Sequence, residues 1–421
     1  MNVMVIGGGG REHAIIRKIK ENPQVEEIWA LPGNGGIAKD AKCFDIKATD
    51  IDGIVSFAKE HHPDYAVVAP DDPLAMGCVD ALENIGIPCF GPNAAAAVIE
   101  SSKVFSKELM KKYGIPTARY ETFDNMYAAL GYLDSAPIPT VIKADGLALG
   151  KGVVIAETRE DAKQAVREMM EDHKFGASGD RIVIEEFLEG PEVSVLSFTD
   201  GKTVVPMISS MDHKRAGDGD TGLNTGGMGT IAPNPYYTGE VAAQCMWEIF
   251  RPTIEAMNAE GRPFKGCLYF GLMITEDGPK VIEYNCRFGD PETQVVLPLL
   301  KTDLLTIMQA VTEERLSEVN VEWSDDSACC VVAASEGYPL SYEKGYEISI
   351  PDEIWNDVYV AGAADEDGTL VTSGGRVLGV TATAPGLSDA IEAAYDKLDQ
   401  IDFANKYYRV DIGQRALKAL K

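Results

Sequence analysis

A short β-branched run, residues 3–6, passes directly into four glycines, Gly7, Gly8, Gly9 and Gly10. A helical pattern follows over 11–21, with Ala14, Ile15, Ile16 and Ile19 at helical spacing. Strand, glycine turn and helix in that order commit the start of the chain to a βα unit. The helix would present its first backbone N–H groups and the positive end of its dipole to an anion. Taken alone, the turn fits either a phosphate cradle or a bend needed only for chain geometry, and Arg11 beside it favours the anion. A dinucleotide fingerprint does not fit. Its sixth position holds Glu12, and the second strand ends Leu31-Pro32-Gly33 without an acidic partner for a ribose.

Further strands are expected at 28–31, 65–69 and 88–90, with helices at 51–60 and 74–85 between them. That alternation predicts a doubly wound parallel sheet over about residues 1–101. After a helix over Lys103–Tyr113 the pattern changes to closely spaced strands at 140–144, 153–156, 182–186, 192–198 and 203–208, interrupted by one helix at 159–171. This reads as antiparallel α+β. A hairpin follows, 267–274 with 280–284 around the Glu276-Asp277-Gly278 turn. A last segment has strands at 329–333 and 376–381 and a helix at 387–398. The 421 residues allow two to four domains at roughly 100–200 residues each.

Hydrophobic residues at 45% and charged residues at 25% are ordinary globular usage. The net charge of −28 argues against nucleic-acid or acidic-membrane partners, which need a basic field. An anionic substrate must therefore be held by local groups. The eight cysteines form no CxxC pair and no Cys/His cluster at zinc spacing, so they read as reduced core thiols. With no basic leader and no apolar run of membrane length, a cytoplasmic enzyme is expected.

The second glycine turn, residues 143–152, links two predicted strands and contains Lys143, Gly146, Gly150, Lys151 and Gly152. It is not a Walker loop, because Asp145 stands at the first glycine and Gly152 replaces Ser/Thr. A glycine flap of this kind can fold over a triphosphate, with Lys143 supplying a point charge. Glu283 and Asn285 lie two apart on a predicted strand, hence on one face. Carboxylate and carboxamide oxygens suit Mg²⁺, although a solvated strand end would look the same. Asp212-His213-Lys214-Arg215 precedes a stretch with six glycines from Gly217 to Gly229, which is either a substrate-shaped loop or a flexible connection. The basic residues favour the former. His213 is expected to support the turn, His13 to pack on the first helix, and His61 and His62 to be exposed.

Taken together, these segments resemble the phosphoribosylamine–glycine ligase family, also called glycinamide ribonucleotide synthetases, of the ATP-grasp superfamily. The resemblance is carried by Gly9-Gly10-Arg11-Glu12-His13-Ala14, Pro32-Gly33-Asn34, Lys143-Ala144-Asp145-Gly146, Ile184-Glu185-Glu186-Phe187-Leu188 and Asp212-His213-Lys214-Arg215. It continues through Asn224-Thr225-Gly226-Gly227-Met228-Gly229, Asn285-Cys286-Arg287-Phe288-Gly289-Asp290-Pro291-Glu292 and residues 409–416, so it spans the whole chain. It implies an N-terminal domain (1–101), an ATP-grasp central domain (102–120 and 189–325), a flap subdomain (121–188) and a C-terminal domain (326–421).

The resemblance also implies ATP-dependent ligation of glycine to phosphoribosylamine by way of glycyl phosphate. Lys103 and Lys143 would touch the ATP phosphates, under a flap that includes Gly146, Gly150, Lys151 and Gly152. Glu185, Glu186 and Leu188, on a strand edge, would form the adenine hinge, and Glu192 would take the ribose. Glu283 and Asn285 would hold Mg²⁺ or Mn²⁺. Gly9, Gly10, Arg11, Asp71, Asp212, Lys214, Asn224, Arg287 and Asp290 would serve glycine and phosphoribosylamine, with Arg287, Lys214 and Asp212 closest to the chemistry. The expected partners are small molecules only, and the expected state is a monomer. Pro70-Asp71-Asp72-Pro73 departs from the family's Glu and Ala between the prolines. The rival readings are another ATP-grasp ligase, such as a carboxylase, and a nucleotide-binding regulatory module without catalysis.

Overall fold

Along the first strand Val3 and Val5 enter one hydrophobic cluster and Met4 and Ile6 another, and all four are fully buried. Successive strand side chains face opposite ways, so apolar residues at every position require a sheet covered on both faces. The computed structural model, which describes residues 1–147 and 152–421, places that strand, β1 (Asn2–Gly7), at the centre of a five-stranded sheet. Its companions are β2 (Glu27–Pro32), β3 (Lys42–Cys43), β4 (Tyr65–Val68) and β5 (Cys89–Phe90), in the order β3-β2-β1-β4-β5. Every pairing is parallel, as the alternation predicted.

Helices α1 (Gly10–Lys20), α2 (Ile51–His61), α3 (Asp71–Ala75), α4 (Cys78–Glu83) and α5 (Ala94–Ser101) connect these strands and lead out of the sheet. The single helix expected over 74–85 is two short ones. Gly77, at φ +84°, separates α3 from α4 in a conformation that glycine adopts without steric penalty. His62 is exposed as expected and caps α2 at φ +53°, but His61 is half-buried, its ring stacked on Phe57 with centroids 3.9 Å apart.

Helix α6 (Lys103–Tyr113) starts at Ser102, whose side chain accepts from the Phe105 N–H, and ends at left-handed Gly114. It leads into an antiparallel sheet of β6 (Tyr120–Phe123), β7 (Thr140–Ala144), β8 (Val153–Ala156) and β9 (Ile182–Glu186), ordered β6-β9-β7-β8. This unit has its own core of Ala129, Leu133, Ile142, Val166 and Ile184 among others.

The chain continues through β10 (Glu192–Thr199), β11 (Val204–Pro206), β12 (Met211–Asp212), a ribbon of β13 (Arg215–Gly217) and β14 (Thr221–Asn224), and β15 (Gly229–Ala232). The expected hairpin follows as β16 (Gly266–Thr275) and β17 (Gly278–Asn285). Strands β10, β11, β16 and β17 form a second antiparallel sheet ordered β11-β10-β16-β17. One hydrophobic cluster joins it to the first domain, through Met4 and Ile6 on one side and Phe270, Leu272 and Tyr284 on the other.

The remaining strands are β18 (Ser327–Ser335), β19 (Val358–Val360), the hairpin β20 (Ala363–Glu366) and β21 (Thr369–Thr372), β22 (Arg376–Ala384), and the short β23 (Lys406–Tyr407), which pairs with β18. The C-terminal sheet is ordered β12-β15-β18-β22-β19, so the Asp212 strand and β15 leave the central segment to join it. No helix among the described residues is long and apolar enough to cross a membrane. All eight cysteines are unpaired, and all except Cys43 are buried.

Candidate active site

Strand β17 is where the predicted site residues converge. Glu283 and Asn285, two apart, share a face of it. Burial pushes the Glu283 carboxyl up, but Lys214, Lys143 and Lys103 outweigh this and hold it below its ordinary range. Lys214 Nζ lies 3.6 Å from Glu283 and 3.3 Å from Glu192 on β10. The Asn285 amide donates to Glu100 Oε1 at 3.0 Å, leaving its carbonyl oxygen as an acceptor. An ionised carboxylate beside a carboxamide oxygen fits a hard divalent cation. Among the described residues no three His, Cys, Asp or Glu side chains converge on a metal position, so phosphate and water oxygens would have to complete the shell.

Glu100 went unrecognised in the sequence. Besides Asn285 it accepts the Cys286 N–H at 2.7 Å and lies 3.3 Å from the Arg287 guanidinium. It is 8% exposed, and burial raises its carboxyl against the pull of Arg287. The available signal was one acidic residue near the end of an otherwise apolar helix, Ala94–Ser101.

From the flap unit, Lys143 reaches across to β17. Its Nζ donates to the Ile282 carbonyl at 3.0 Å and lies 3.0 Å from Glu185. Lys103 donates to the Gly146 carbonyl at 3.0 Å, so helix α6 is tied to the base of the lysine turn. Asp145 reinforces the tie by accepting from Ser102 Oγ and from the Val104 N–H. Gly146 has to be glycine, because a Cβ there would stand 2.2 Å from Ser178 Oγ. The Gly152 carbonyl accepts from the Ala144 N–H at 2.8 Å and closes the β7–β8 ladder. Gly150 and Lys151 lie outside the described residues.

The strand-edge expectation for Glu185 and Glu186 needs correction: β9 is interior, between β6 and β7. The Glu185 carbonyl accepts from Thr140 Oγ1, the Glu186 N–H donates to the Arg119 carbonyl, and the Glu186 carboxylate pairs with Arg119. Sequence could not reveal this, because the pairing of β6 with β9 brings together segments some 60 residues apart. Leu188 lies in the coil just beyond the strand.

The glycine turn is more occupied than its sequence suggested. The Gly9 N–H, one of the donors expected to face an anion, is taken by Glu12 Oε2 at 2.7 Å, an internal cap from a residue 1% exposed. A Cβ on Gly8 would meet the Gly33 carbonyl at 2.3 Å, and one on Gly10 the Gln294 amide at 2.7 Å. Close packing accounts for those two glycines. A cleft of about 490 Å³ nevertheless opens there, lined by Gly9, Arg11, Lys47, Thr49, Pro70 and Asp290 among others. Arg11 donates to Glu12 and to the Phe288 carbonyl. Asp290 is held ionised against burial by Arg376 and Arg11.

Asp212 is the strained charge of this side. Its Oδ1 is buried without a hydrogen-bond partner, and burial together with Glu292 pushes its carboxyl well up. Arg287 Nε is likewise buried and unpartnered. Arg376, on β22 and absent from the sequence reading, donates to the Gly226 and Asp290 carbonyls at 2.9 and 2.8 Å. It fastens the glycine loop to the Arg287–Glu292 turn. Asp71 opens α3 and feeds charge to both Glu100 and Arg287. Asn224 is exposed on its ribbon, next to Thr225, whose N–H donates to the Lys214 carbonyl. His213 is structural as expected: its two ring nitrogens meet the Gly229 carbonyl and the Gly413 N–H.

Three family profiles match in succession: phosphoribosylglycinamide synthetase N domain over residues 1–100, ATP-grasp (A) domain over 101–293 and C domain over 328–415. The phosphoribosylamine–glycine ligase of Caldanaerobacter subterraneus subsp. tengcongensis is 47% identical over 98% of this chain and 99% of its own. That of Clostridium acetobutylicum is 47% identical over 98% and 100%. The crystal structure of the Thermotoga maritima ligase superposes with a TM-score of 0.87 at 33% identity, covering 98% of this chain and all of that one. Biotin carboxylase from Campylobacter jejuni, at 15% identity and a TM-score of 0.74, shares the fold. With the three domain profiles in order and relatives matching end to end, the chain belongs to the phosphoribosylglycinamide synthetase family.

Proposed function

We propose that this chain uses ATP to join glycine to phosphoribosylamine, giving glycinamide ribonucleotide, ADP and phosphate in purine synthesis. The observation that carries the reading is the meeting at β17 of Lys103, Lys143 and Lys214 with Glu283 and Asn285, in a chain whose relatives bear that ligase name from end to end. Lys103 and Lys143 take the triphosphate, with Gly146, Gly150, Lys151 and Gly152 above it. Glu185, Glu186 and Leu188 border the adenine, and Glu192 the ribose. Glu283 and Asn285 hold Mg²⁺ or Mn²⁺, which when bound neutralises phosphate charge. Gly9, Gly10, Arg11, Asp71, Asp212, Lys214, Asn224, Arg287 and Asp290 serve the other two substrates.

A glycine carboxylate oxygen attacks the γ-phosphorus and ADP leaves; the phosphoribosylamine nitrogen then attacks the acyl carbon and phosphate leaves. No protein nucleophile is needed, so the residues act by positioning and charge. The planar fork of Arg287 suits a carboxylate or phosphate. Asp212, its basicity raised by burial and Glu292, is placed to receive an ammonium or the proton of the attacking amine. The domain division 1–101, 102–120 with 189–325, 121–188 and 326–421 belongs to the same reading, and the separate flap core supports it. So does a cytoplasmic setting, supported by unpaired thiols, with small-molecule partners only; the monomer rests on resemblance alone. The test is turnover with ATP, Mg²⁺, glycine and freshly generated phosphoribosylamine. ADP and glycinamide ribonucleotide should form one to one, and ADP release that requires bicarbonate instead of glycine would refute the assignment.

A further inference from the structure

Lys107 has no part in the roles assigned above, yet it is 2% exposed, on α6 one turn beyond Lys103. Its Nζ donates to Thr117 Oγ1 at 2.8 Å and lies 3.2 Å from Glu185 Oε1. The same carboxylate oxygen is 3.0 Å from Lys143 Nζ. Thr117 Oγ1 in turn donates to the Val281 carbonyl, and Lys143 Nζ to the Ile282 carbonyl. Both ammonium groups are therefore held against adjacent residues of β17, the strand that carries Glu283.

One carboxylate between two ammonium groups leaves a net charge of +1. Without Lys107, Glu185 and Lys143 would form a neutral buried pair, and the charge of Lys143 would be directed at Glu185 instead of an incoming phosphate. Burial lowers Lys107 to about 8 against the pull of Glu185, so it keeps most of its proton at pH 7. We propose that Lys107 is a positioning residue for the ATP chemistry: it neutralises Glu185, and so leaves Lys143 a full positive charge for the triphosphate. This rests on the reading of Lys143 as a phosphate ligand.

The test is a charge cycle in the full-length protein, scored by ATP affinity and by KM for ATP against kcat, for Lys107→Met, Glu185→Gln, the double variant, Lys107→Arg and Lys143→Met. Lys107→Met should weaken ATP binding about 30-fold, while Lys107→Arg, which keeps the charge, should stay within about threefold. Glu185→Gln, at a residue assigned to the adenine border, supplies the reference from which the double variant is read. The double variant restores the net charge of +1 and should regain about tenfold of the Lys107→Met loss. A double variant no better than Lys107→Met would show a merely structural role and overturn the proposal, as would a Lys107→Met enzyme with unchanged affinity. If Lys107→Met does not fold by circular dichroism, Lys107→Gln, which is neutral but still polar, decides: a loss of about 30-fold supports the proposal, and unchanged affinity overturns it. Lys143→Met separates the two readings. Unchanged ATP affinity in that variant removes the phosphate role itself, whereas a loss there with Lys107→Met intact removes only the role of Lys107.

Discussion

On the flap side of β17, Lys103, Lys107 and Lys143 share the carboxylates of Glu185 and Glu283. On the side nearer the C-terminal sheet, Asp212 and Glu292 share Lys214, Arg287 and Arg376. Both regions gather cations around carboxylates, but the carboxylates respond in opposite directions. The first holds Glu283 ionised in spite of burial, which marks surplus positive charge. In the second, burial outweighs the neighbouring cations and pushes Asp212 and Glu292 toward their protonated forms. Under the proposed function a triphosphate would answer the cations of the first, and an amine or ammonium would favour the ionised carboxylates of the second. Under the proposed function the two half-reactions would use these two groups separately; Lys214 joins them, since it touches Glu192 and Glu283 and also feels Asp212.

Five experiments break or sharpen that comparison. Lys143→Met should hit the positive side hardest, lowering kcat/KM for ATP by about 10³, the scale of a lost preorganised charge partner. Normal ADP release would end its phosphate role. Glu283→Ala should cost about 10² at limiting Mg²⁺ and partly recover at high Mg²⁺ while the fold stays intact. A Mg²⁺ titration that superposes on wild type would remove Glu283 from the metal site.

Acid acts through two buried histidines of the scaffold. Burial lowers His13 and His213 to about 4 from 6.5, so the unfolded chain takes up protons that the folded one refuses. Stability is therefore complete above pH 6.5 and is lost as pH falls toward 4, amounting by pH 5 to about 2 kcal/mol per histidine. Urea unfolding at pH 7.5 and pH 5 measures this, and equal midpoints would contradict it. Asp212→Asn should raise KM for glycine or phosphoribosylamine about tenfold and leave ATP affinity alone, since only the second group changes. A weakened ATP site would show that the two groups are one. Arg376→Met, which loosens the Gly226–Asp290 clamp without removing a ligand, should cost about threefold to tenfold in the same KM. No change would place that clamp outside the site.

The parallel first domain was legible because residues 3–6 of β1 are all apolar and run straight into glycines. The β16–β17 hairpin and the helix Leu387–Leu398 were legible from turn chemistry and periodicity. The break at Gly77 was missed because apolar spacing continues through it while the backbone does not. Lysines in motifs were visible one at a time. Their shared carboxylate was not, because α6, β7 and β9 meet only after the flap sheet has formed. Glu100 and Arg376 carry no motif and act through partners more than 80 residues away in sequence. The Gly9 amide shows the converse error: a sequence that advertises an anion site can use part of it for its own cap.

Under the proposed function, phosphoryl transfer on the lysine side of β17 activates the glycine carboxylate before the amine attacks. Glycine carrying ¹⁸O in its carboxylate, turned over with ATP and phosphoribosylamine, tests it by mass spectrometry of the released phosphate. The account predicts one ¹⁸O atom in the phosphate for each glycinamide ribonucleotide formed. Unlabelled phosphate released together with product would contradict it.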